Sequence, residues 1–522
     1  MLRASQVCRQ SAAAAAKAVV VGGGPVGAAM AVVCRNAGME VDVFEKYSDL
    51  RLRPLNARRS INLTLGRRGV RLADSLGRRD QLLGNTVPVR GRMIHDLDGS
   101  QHFQPYGVKE ECNFSIDRGE LNAFWLSLAA EAGARLHFDH MLEDFDLEQG
   151  HATFIQTQSP EGMSVDRNLN LDVSVLQDGR STQVTGIDLF LACDGAGSFV
   201  RRALVDRYAD ISQTSDFIGW GYKEVTFPAL PGGKPVFDND EALHIWPRGD
   251  HFLMALPNPG GSFTGTIYMD DTAPRPDGVT PKLSGGASFQ STSTVEGARA
   301  LWEECYPDAL ACVGEAGLRQ HRENPVGLLG TVRTSKYFVT GARTNALLAG
   351  DSAHAIVPFF GQGVQAGLED AFELRELLGG LSGLGSGSSR HAVFSRLAEE
   401  FSRLRVRNNE ALREMALENA VEMGDKVGQE RFRLRKALEK RLEEEIPHKY
   451  RSRYALVSYS HNPYADVFEL GKVQSIFLEE LVDHMLQEKT SDVAQLDRNF
   501  LEAEVDRVIT PTAQSLGVRM SA

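Results

Sequence analysis

The segment Lys17-Ala-Val-Val-Val-Gly22-Gly-Gly24-Pro-Val-Gly27 runs directly into Ala28-Ala-Met-Ala-Val-Val-Cys-Arg-Asn-Ala-Gly38 and then Val41-Asp-Val-Phe-Glu45. Few patterns constrain a fold as tightly. A short apolar run bounded by glycines reads as a buried strand, the alanine-rich stretch as a helix, and the third run as the next strand. The glycines fall as G-x-G-x-x-G between strand and helix, and an acid follows about 20 residues on. Gly22 makes the tight turn, Gly24 lets the backbone reach a pyrophosphate, and Gly27 packs helix on strand. Glu45 is placed to accept the ribose hydroxyls of an adenosine. The segment predicts a Rossmann-like α/β domain that binds a dinucleotide.

A second stretch has a related design. Asn345-Ala-Leu-Leu-Ala-Gly350-Asp351 opens as a short strand, Ala346 to Ala349. Val364 through Leu378 reads as a helix, with apolar residues at three- and four-residue spacing. Between them lies a loop both aromatic (Phe359, Phe360) and glycine-rich (Gly361, Gly363). Such a loop, feeding a helix N-terminus, aims backbone N–H donors at a flat or anionic ligand.

The intervening chain supplies the other layers. Arg51 to Arg71 carries Arg58, Arg59, Arg67, Arg68 and Arg71, and such a run reads as a solvated face. Arg90 to Tyr106 reads as a hairpin turning at Asp98-Gly99, with Arg92 and Tyr106 on its two arms. Leu121 to Ala132 reads as a helix stopped by Gly133. Ala134 to Leu191 reads as a run of strands ending in Leu189-Phe-Leu-Ala-Cys193-Asp194-Gly195. From Ile218 to Leu256 a period of two returns, predicting a separate sheet whose inner face forms a pocket. Pro274 to Thr294 and Gly379 to Ser389 read as loop and linker by composition. Val393 to Glu445 reads as helix, its mixed charges as a solvated face.

Taken in order, Gly22-x-Gly24-x-x-Gly27 with Glu45, Cys193-Asp194-Gly195, and Gly350-Asp351 resemble the motif set of the flavoprotein aromatic hydroxylases. The match narrows with Arg59-Ser-Ile-Asn-Leu63, Arg92-Met-Ile-His95, Pro105-Tyr-Gly107, His244-Ile-Trp-Pro-Arg248 and His354-Ala-Ile-Val-Pro-Phe-Phe-Gly-Gln-Gly363. These are similar to the kynurenine 3-monooxygenases, from about Lys17 to Ser460. The resemblance implies an FAD-binding domain of residues 17–90, 110–205 and 330–378, an inserted β-sheet substrate domain of 91–109 and 206–329, and a C-terminal helical region of 390–522. It implies FAD as cofactor, NADPH and O₂ as co-substrates, and L-kynurenine as the small-molecule substrate. Another anthranilate-like or phenolic acid is the alternative substrate. A flavin-binding protein without oxygenase activity is the reading from another class.

The same resemblance assigns residues. FAD is expected at Gly22, Gly24, Val26, Gly27, Phe44, Glu45, Lys46, Tyr47, Arg59, Thr64, Arg118, Leu142, Asp351, Val364 and Gln365. The reacting centre is expected at Phe359, Gly361, Gln362 and Gly363, with Pro358, Phe360 and Ile245 as further apolar walls. The substrate carboxylate is expected between Arg92, Tyr106, Asn419 and Tyr454, because a guanidinium fork matches both oxygens and stays charged. An aniline ring is already electron-rich, so no strong base is required, and His354, His95 and His244 read as structural. Here the chain has Val364-Gln365 where the family has Met-Asn, which keeps the apolar-then-amide pattern.

Composition sets the remaining bounds. A chain of 522 residues implies more than one core, and its 42% apolar and 24% charged residues suit a soluble globular protein. A net charge of −12 argues against nucleic acid as a partner. The six cysteines show no metal-ligand spacing, so no metal is expected and a reducing compartment fits. Met1 to Ala16, with Arg3 and Arg9, no acid and an alanine run, reads as a lead, for which a cytoplasmic location is expected, with a mitochondrial presequence as the alternative. No run of about 20 apolar residues occurs, and Ser460 to Ala522 is polar and amphipathic, so membrane association is not expected. A monomer or homodimer is expected.

Overall fold

A computed structural model of the chain describes residues 15–52, 61–108, 111–158, 174–175, 180–271, 287–380, 389–425, 430–488, 490 and 492–520. Arg58 and Arg59 lie outside the described residues, as do most of the 274–294 loop and residues 381–388.

The first glycine fingerprint sits where its sequence predicts. Lys17–Val21 pairs in parallel with Glu40–Phe44 on one side and with Leu189–Ala192 on the other. The sheet extends to six strands in the order Phe338–Thr340, Asn345–Leu348, Leu189–Ala192, Lys17–Val21, Glu40–Phe44, Arg135–His137. Only the outermost pair, Phe338–Thr340 with Asn345–Leu348, is antiparallel. Helix Pro25–Asn36 packs against helices Arg118–Glu131 and Gly363–Gly380. Three strands therefore deliver their carboxyl ends, with Gly22, Cys193 and Gly350, to one edge, where open α/β sheets bind ligands.

Three helices differ from the sequence reading at their starts, the long C-terminal one beginning at Arg390 and not Val393. The first begins at Arg118, three residues before Leu121, because the Asp117 side chain accepts from the Glu120 N–H at 3.0 Å and caps it. The second starts at Gly363, directly on the glycine loop, and reaches Gly380.

The second sheet has seven strands, in the order Gly327–Thr334, Gln213–Phe227, Phe263–Asp270, Phe252–Pro257, Ala242–Pro247, Gly91–His95, Gln101–Pro105. Its period of two sorts the side chains as expected. Trp246, Leu253 and Ile267 face a core shared with Trp302 and Tyr306. Ile245, Phe252 and Tyr268 face the other way, toward Phe359.

Two smaller sheets, one of four strands and one of three, lie beside these, and among the described residues the chain after Gly380 folds into helices Arg390–Asp425, Glu430–Glu445, Arg453–Tyr459, Tyr464–Gln487 and Arg498–Leu516. Their core includes Leu412, Met415, Tyr464 and Phe477, and it takes in Val357, Phe360 and Ala366 from the glycine loop and the helix after it. Helices Tyr464–Gln487 and Arg498–Leu516 are thus part of the wall behind that loop. No helix among the described residues is long and apolar enough to cross a membrane.

Candidate functional site

The three glycines of the fingerprint answer to different constraints. Gly22 has φ 100°, and a Cβ there would stand 2.3 Å from the Cys193 carbonyl oxygen. A Cβ on Gly27 would stand 2.0 Å from the Gly22 carbonyl oxygen. Both are demanded by the protein's own packing. At Gly24, by contrast, no protein atom lies within 4 Å of where a Cβ would be. That space, above the N-terminus of helix Pro25–Asn36, is what a pyrophosphate needs.

The flanking residues fit the same group. Glu45 is buried and holds the turn, accepting from the Gly23 N–H at 2.6 Å and the Tyr47 N–H at 3.1 Å. A carboxylate offers about four acceptor sites, so acceptor capacity remains for ribose hydroxyls. Val26 locks the first motif to the last: Cβ atoms on Gly350 and Gly367 would stand 3.2 and 2.5 Å from its methyl groups. Gly350 has φ 60° and ψ −146°, and it turns Asp351 outward into an exposed position. Arg118 stands at the start of its helix, partly buried, and Lys46 Nζ lies 4.9 Å from the Tyr47 ring centre. Phe44 and Leu142 are placed differently from a surface contact. Both are buried, and Phe44 stacks at 3.6 Å on Phe154 and 4.4 Å on His137, forming the floor beneath Glu45.

The second loop is shaped from below. Gly361 has φ 64°, and a Cβ on it would stand 2.9 Å from Thr64 Oγ1. Gln362 and Gln365 lie between and beside the glycines but turn their amides inward. Gln365 accepts from the Gly66 N–H at 2.8 Å and donates to the Gly361 carbonyl at 2.9 Å, and Gln362 accepts from Tyr464 Oη at 3.0 Å. What this loop leaves exposed is Pro358, while Phe359, Gly361, Gly363 and Val364 are partly buried. Phe359 lies 5.7–6.0 Å, centre to centre, from Trp220, Phe252 and Tyr268. Ile245 belongs to the same apolar cluster.

The residues expected to hold a carboxylate meet across the chain. Arg92 Nε donates to Tyr106 Oη at 3.1 Å, and the guanidinium lies 5.5 Å from the Tyr106 ring and 5.9 Å from the Tyr454 ring. The two tyrosine rings stack at 5.3 Å, with Phe360 5.9 Å beyond Tyr454. Burial, reinforced by Tyr106, pushes the Tyr454 hydroxyl above its ordinary value, so it remains a neutral donor. Asn419 joins the group through the loop, donating to the Phe359 carbonyl at 2.7 Å.

A buried charge network was not foreseen. Arg68 pairs with Glu369 and also donates to the carbonyls of Val457 and Asn462. Arg405 donates to Glu369 at 2.7 Å and to Asp370 at 2.6 Å. Asp370 in turn accepts from His354 Nε2 at 2.6 Å and from the Gly350 N–H at 2.7 Å. All five side chains are buried. Burial alone would raise the two carboxyls, but Arg68 and Arg405 bring Glu369 down to about 2, and His354 and Arg405 bring Asp370 down to about 2. Arg68 and Arg405 therefore correct the solvated-face reading of both basic runs. The signal available was position: Glu369 and Asp370 follow the apolar Ala366-Gly-Leu368 with no break in the helix.

His354, His95 and His244 each bond to buried partners. His354 serves the network above. His95 bridges Asp308 and His244 at 2.9 Å each, and burial lowers His244 to about 4. Asp194 of the middle motif caps helix Phe199–Arg207 indirectly, accepting from Ser198 Oγ at 2.6 Å and the Val200 N–H at 3.1 Å. Among the described residues no group of His, Cys, Asp and Glu could hold a metal ion.

Comparison with known proteins gives a consistent picture. Residues 15–388 match the model of an FAD binding domain family. A kynurenine 3-monooxygenase of Myxococcus xanthus is 35% identical over 486 residues, 92% of this chain and 94% of the relative. One of Xanthomonas axonopodis pv. citri is 33% identical over 496 residues, 94% and 96% of the two chains. Among solved structures, a 2-methyl-3-hydroxypyridine-5-carboxylic acid oxygenase superposes with a TM-score of 0.56 at 18% identity, over 80% of this chain and 95% of that one. A tetracycline destructase superposes with a TM-score of 0.52 at 16% identity, over 86% and 99%.

Proposed function

Because this chain belongs to the kynurenine 3-monooxygenase family of FAD-binding enzymes, we propose that it hydroxylates L-kynurenine on the ring carbon beside the amine. The balanced reaction consumes NADPH, a proton and O₂, and yields 3-hydroxykynurenine, NADP⁺ and water. FAD, when bound, supplies the oxygen activation that no side chain can.

The protein's own residues bind, orient and shield. Gly22, Gly24 and Glu45 take the adenosine diphosphate half of the cofactor, and Asp351 takes its sugar-alcohol chain. Arg92 holds the substrate carboxylate, with Tyr106 and Tyr454 donating beside it. An unpaired carboxylate against apolar walls would cost several kcal/mol or more, so this cluster selects for an acid. Trp220, Phe252, Tyr268 and Phe359 keep water from the ring. The activated aniline ring loses its proton without a strong base, in keeping with His95, His244 and His354, whose ring nitrogens are engaged within the protein.

The observation that carries the reading is the meeting of Arg92, Tyr106 and Tyr454 beside Phe360 of the glycine loop. The test is the purified protein itself. It is expected to be yellow, to release FAD on denaturation, and to oxidise NADPH faster with kynurenine while forming 3-hydroxykynurenine by mass spectrometry. Equal or faster turnover of anthranilate or a phenolic acid would replace the substrate, and NADPH oxidation without any hydroxylated product would replace the reaction.

A further inference from the structure

The turn that presents Asp351 is held from beneath by a residue nineteen positions along the chain. We propose that Asp370 is a positioning residue for FAD, and that Arg405 makes its hold depend on the seating of the long C-terminal helix. The assignment rests on the flavoprotein reading and not on which acid is hydroxylated.

The geometry is specific. Gly350 stands at φ 60° and ψ −146°, a conformation open to glycine that L side chains rarely adopt. One carboxylate oxygen fixes the glycine there: Asp370 Oδ2 accepts from the Gly350 N–H at 2.7 Å and from His354 Nε2 at 2.6 Å. Gly350 precedes Asp351 and His354 ends the same short helix, Asp351–His354. Both ends of the segment carrying Asp351 are therefore tied to the same atom, while Asp351 itself faces outward.

The other oxygen, Oδ1, accepts from Arg405 Nε at 2.6 Å. Arg405 comes from helix Arg390–Asp425, and it also reaches Glu369 at 2.7 Å and the Ala366 carbonyl at 3.1 Å. One guanidinium thus grips the helix that begins on the glycine loop and fixes the carboxylate that holds the ribityl turn. A buried carboxylate with three donors has a single low-energy orientation, and each lost donor loosens it. Charge matters as well as shape. An amide at position 370 could still accept on one side, but it would turn N–H groups toward Arg405 or toward Gly350.

The experiment is a double-mutant cycle on FAD affinity. FAD dissociation constants are measured by flavin fluorescence on stripped and reloaded protein for the wild type, D351A, D370N and D351A/D370N. The unfolding temperature of each FAD-free form is recorded alongside. D370N is expected to weaken FAD binding at least tenfold. Because Asp370 acts through Asp351, the double variant is expected to bind FAD within about threefold of D351A. A merely structural role would multiply the two losses and lower the FAD-free unfolding temperature in proportion. R405Q is expected to weaken FAD in the same direction, with R405K recovering part of the loss. Should D370N fail to fold, R405Q replaces it in the same cycle with the same expectation.

A D370N affinity within threefold of wild type, or a fully multiplicative double variant, overturns the assignment. A wild type with no measurable FAD affinity overturns the flavoprotein reading and this assignment together.

Discussion

The Tyr464 hydroxyl donates to the Gln362 side-chain oxygen at 3.0 Å, joining the first turn of helix Tyr464–Gln487 to the glycine loop. Gln362 is only 2% exposed, and this contact places its side chain against the C-terminal helices instead of the substrate side. Tyr464→Phe would leave that buried acceptor without its partner, which costs about 1–3 kcal/mol. The expected result is a lower urea midpoint with FAD still bound. A smaller fraction of the NADPH consumed should appear as hydroxylated product, because the loop is less well fixed. Unchanged stability together with unchanged coupling would show the contact to be idle.

Arg92→Ala is expected to raise KM for kynurenine by at least about 30-fold, since truncating one partner of a buried charge pair costs about 2–5 kcal/mol. Flavin content should stay the same. The decarboxylated amine analogue offers the control: its KM should move little, because it brings no carboxylate to Arg92. Parallel losses for both compounds would mean that Arg92 shapes the pocket without reading the acid.

Gly24→Ala and Gly27→Ala should fail in opposite ways. A methyl at Gly24 meets no protein atom within 4 Å, so the FAD-free protein should unfold at the wild-type temperature while FAD affinity falls at least about tenfold. A methyl at Gly27 would sit 2.0 Å from the Gly22 carbonyl oxygen, so the domain itself should be destabilised or fail to fold. Circular dichroism melts and FAD titration separate the two outcomes. A Gly24→Ala protein that keeps full FAD affinity would remove the pyrophosphate from that space.

Stability should fall on acidification in two stages. Burial lowers His244 to about 4 and His321 to about 3, from an ordinary value of 6.5. Between those limits the unfolded chain binds more protons than the folded one, so stability declines as pH drops below about 6.5. Glu369 and Asp370, both held down to about 2, add stability that is complete above about 4.5 and is lost toward pH 2. Urea midpoints at pH 7.5, 6, 5 and 4 check the sign. A midpoint that is flat or rises from pH 7 to 5 would contradict it.

Sequence carried the parts of this molecule that local rules decide. Gly22 and Gly27 are legible because packing leaves no room for a Cβ at either, and the alternation from Ile218 to Leu256 is legible because strand faces repeat every two residues. Arg92 and Tyr106 could be placed together because one hairpin carries both. The remainder depends on partners far along the chain. Arg68 meets Glu369 and Asn462, and Arg405 meets Asp370, across spans that no periodicity records. An arginine in a basic run looks the same whether it is solvated or buried against two carboxylates. Nothing local shows either that the Gln365 amide turns back to Gly66 and Gly361.

The parallel pairing of Ala242–Pro247 with Gly91–His95 has a consequence for how the chain acquires its shape. Hairpin 91–105 leaves the ribosome long before the strand that completes its inner edge. Until residues 242–247 arrive, that edge carries unpaired backbone groups, a template for mispairing. When the pairing closes, it does so over a loop of about 150 residues that contains two strands of the dinucleotide sheet, Arg135–His137 and Leu189–Ala192, an entropic cost met late in folding. The two sheets are therefore not separable pieces. A fragment ending after helix Phe199–Arg207 would hold every residue of the first glycine fingerprint and still expose a strand edge made for a partner it lacks. Such a fragment is expected to aggregate where the full chain folds.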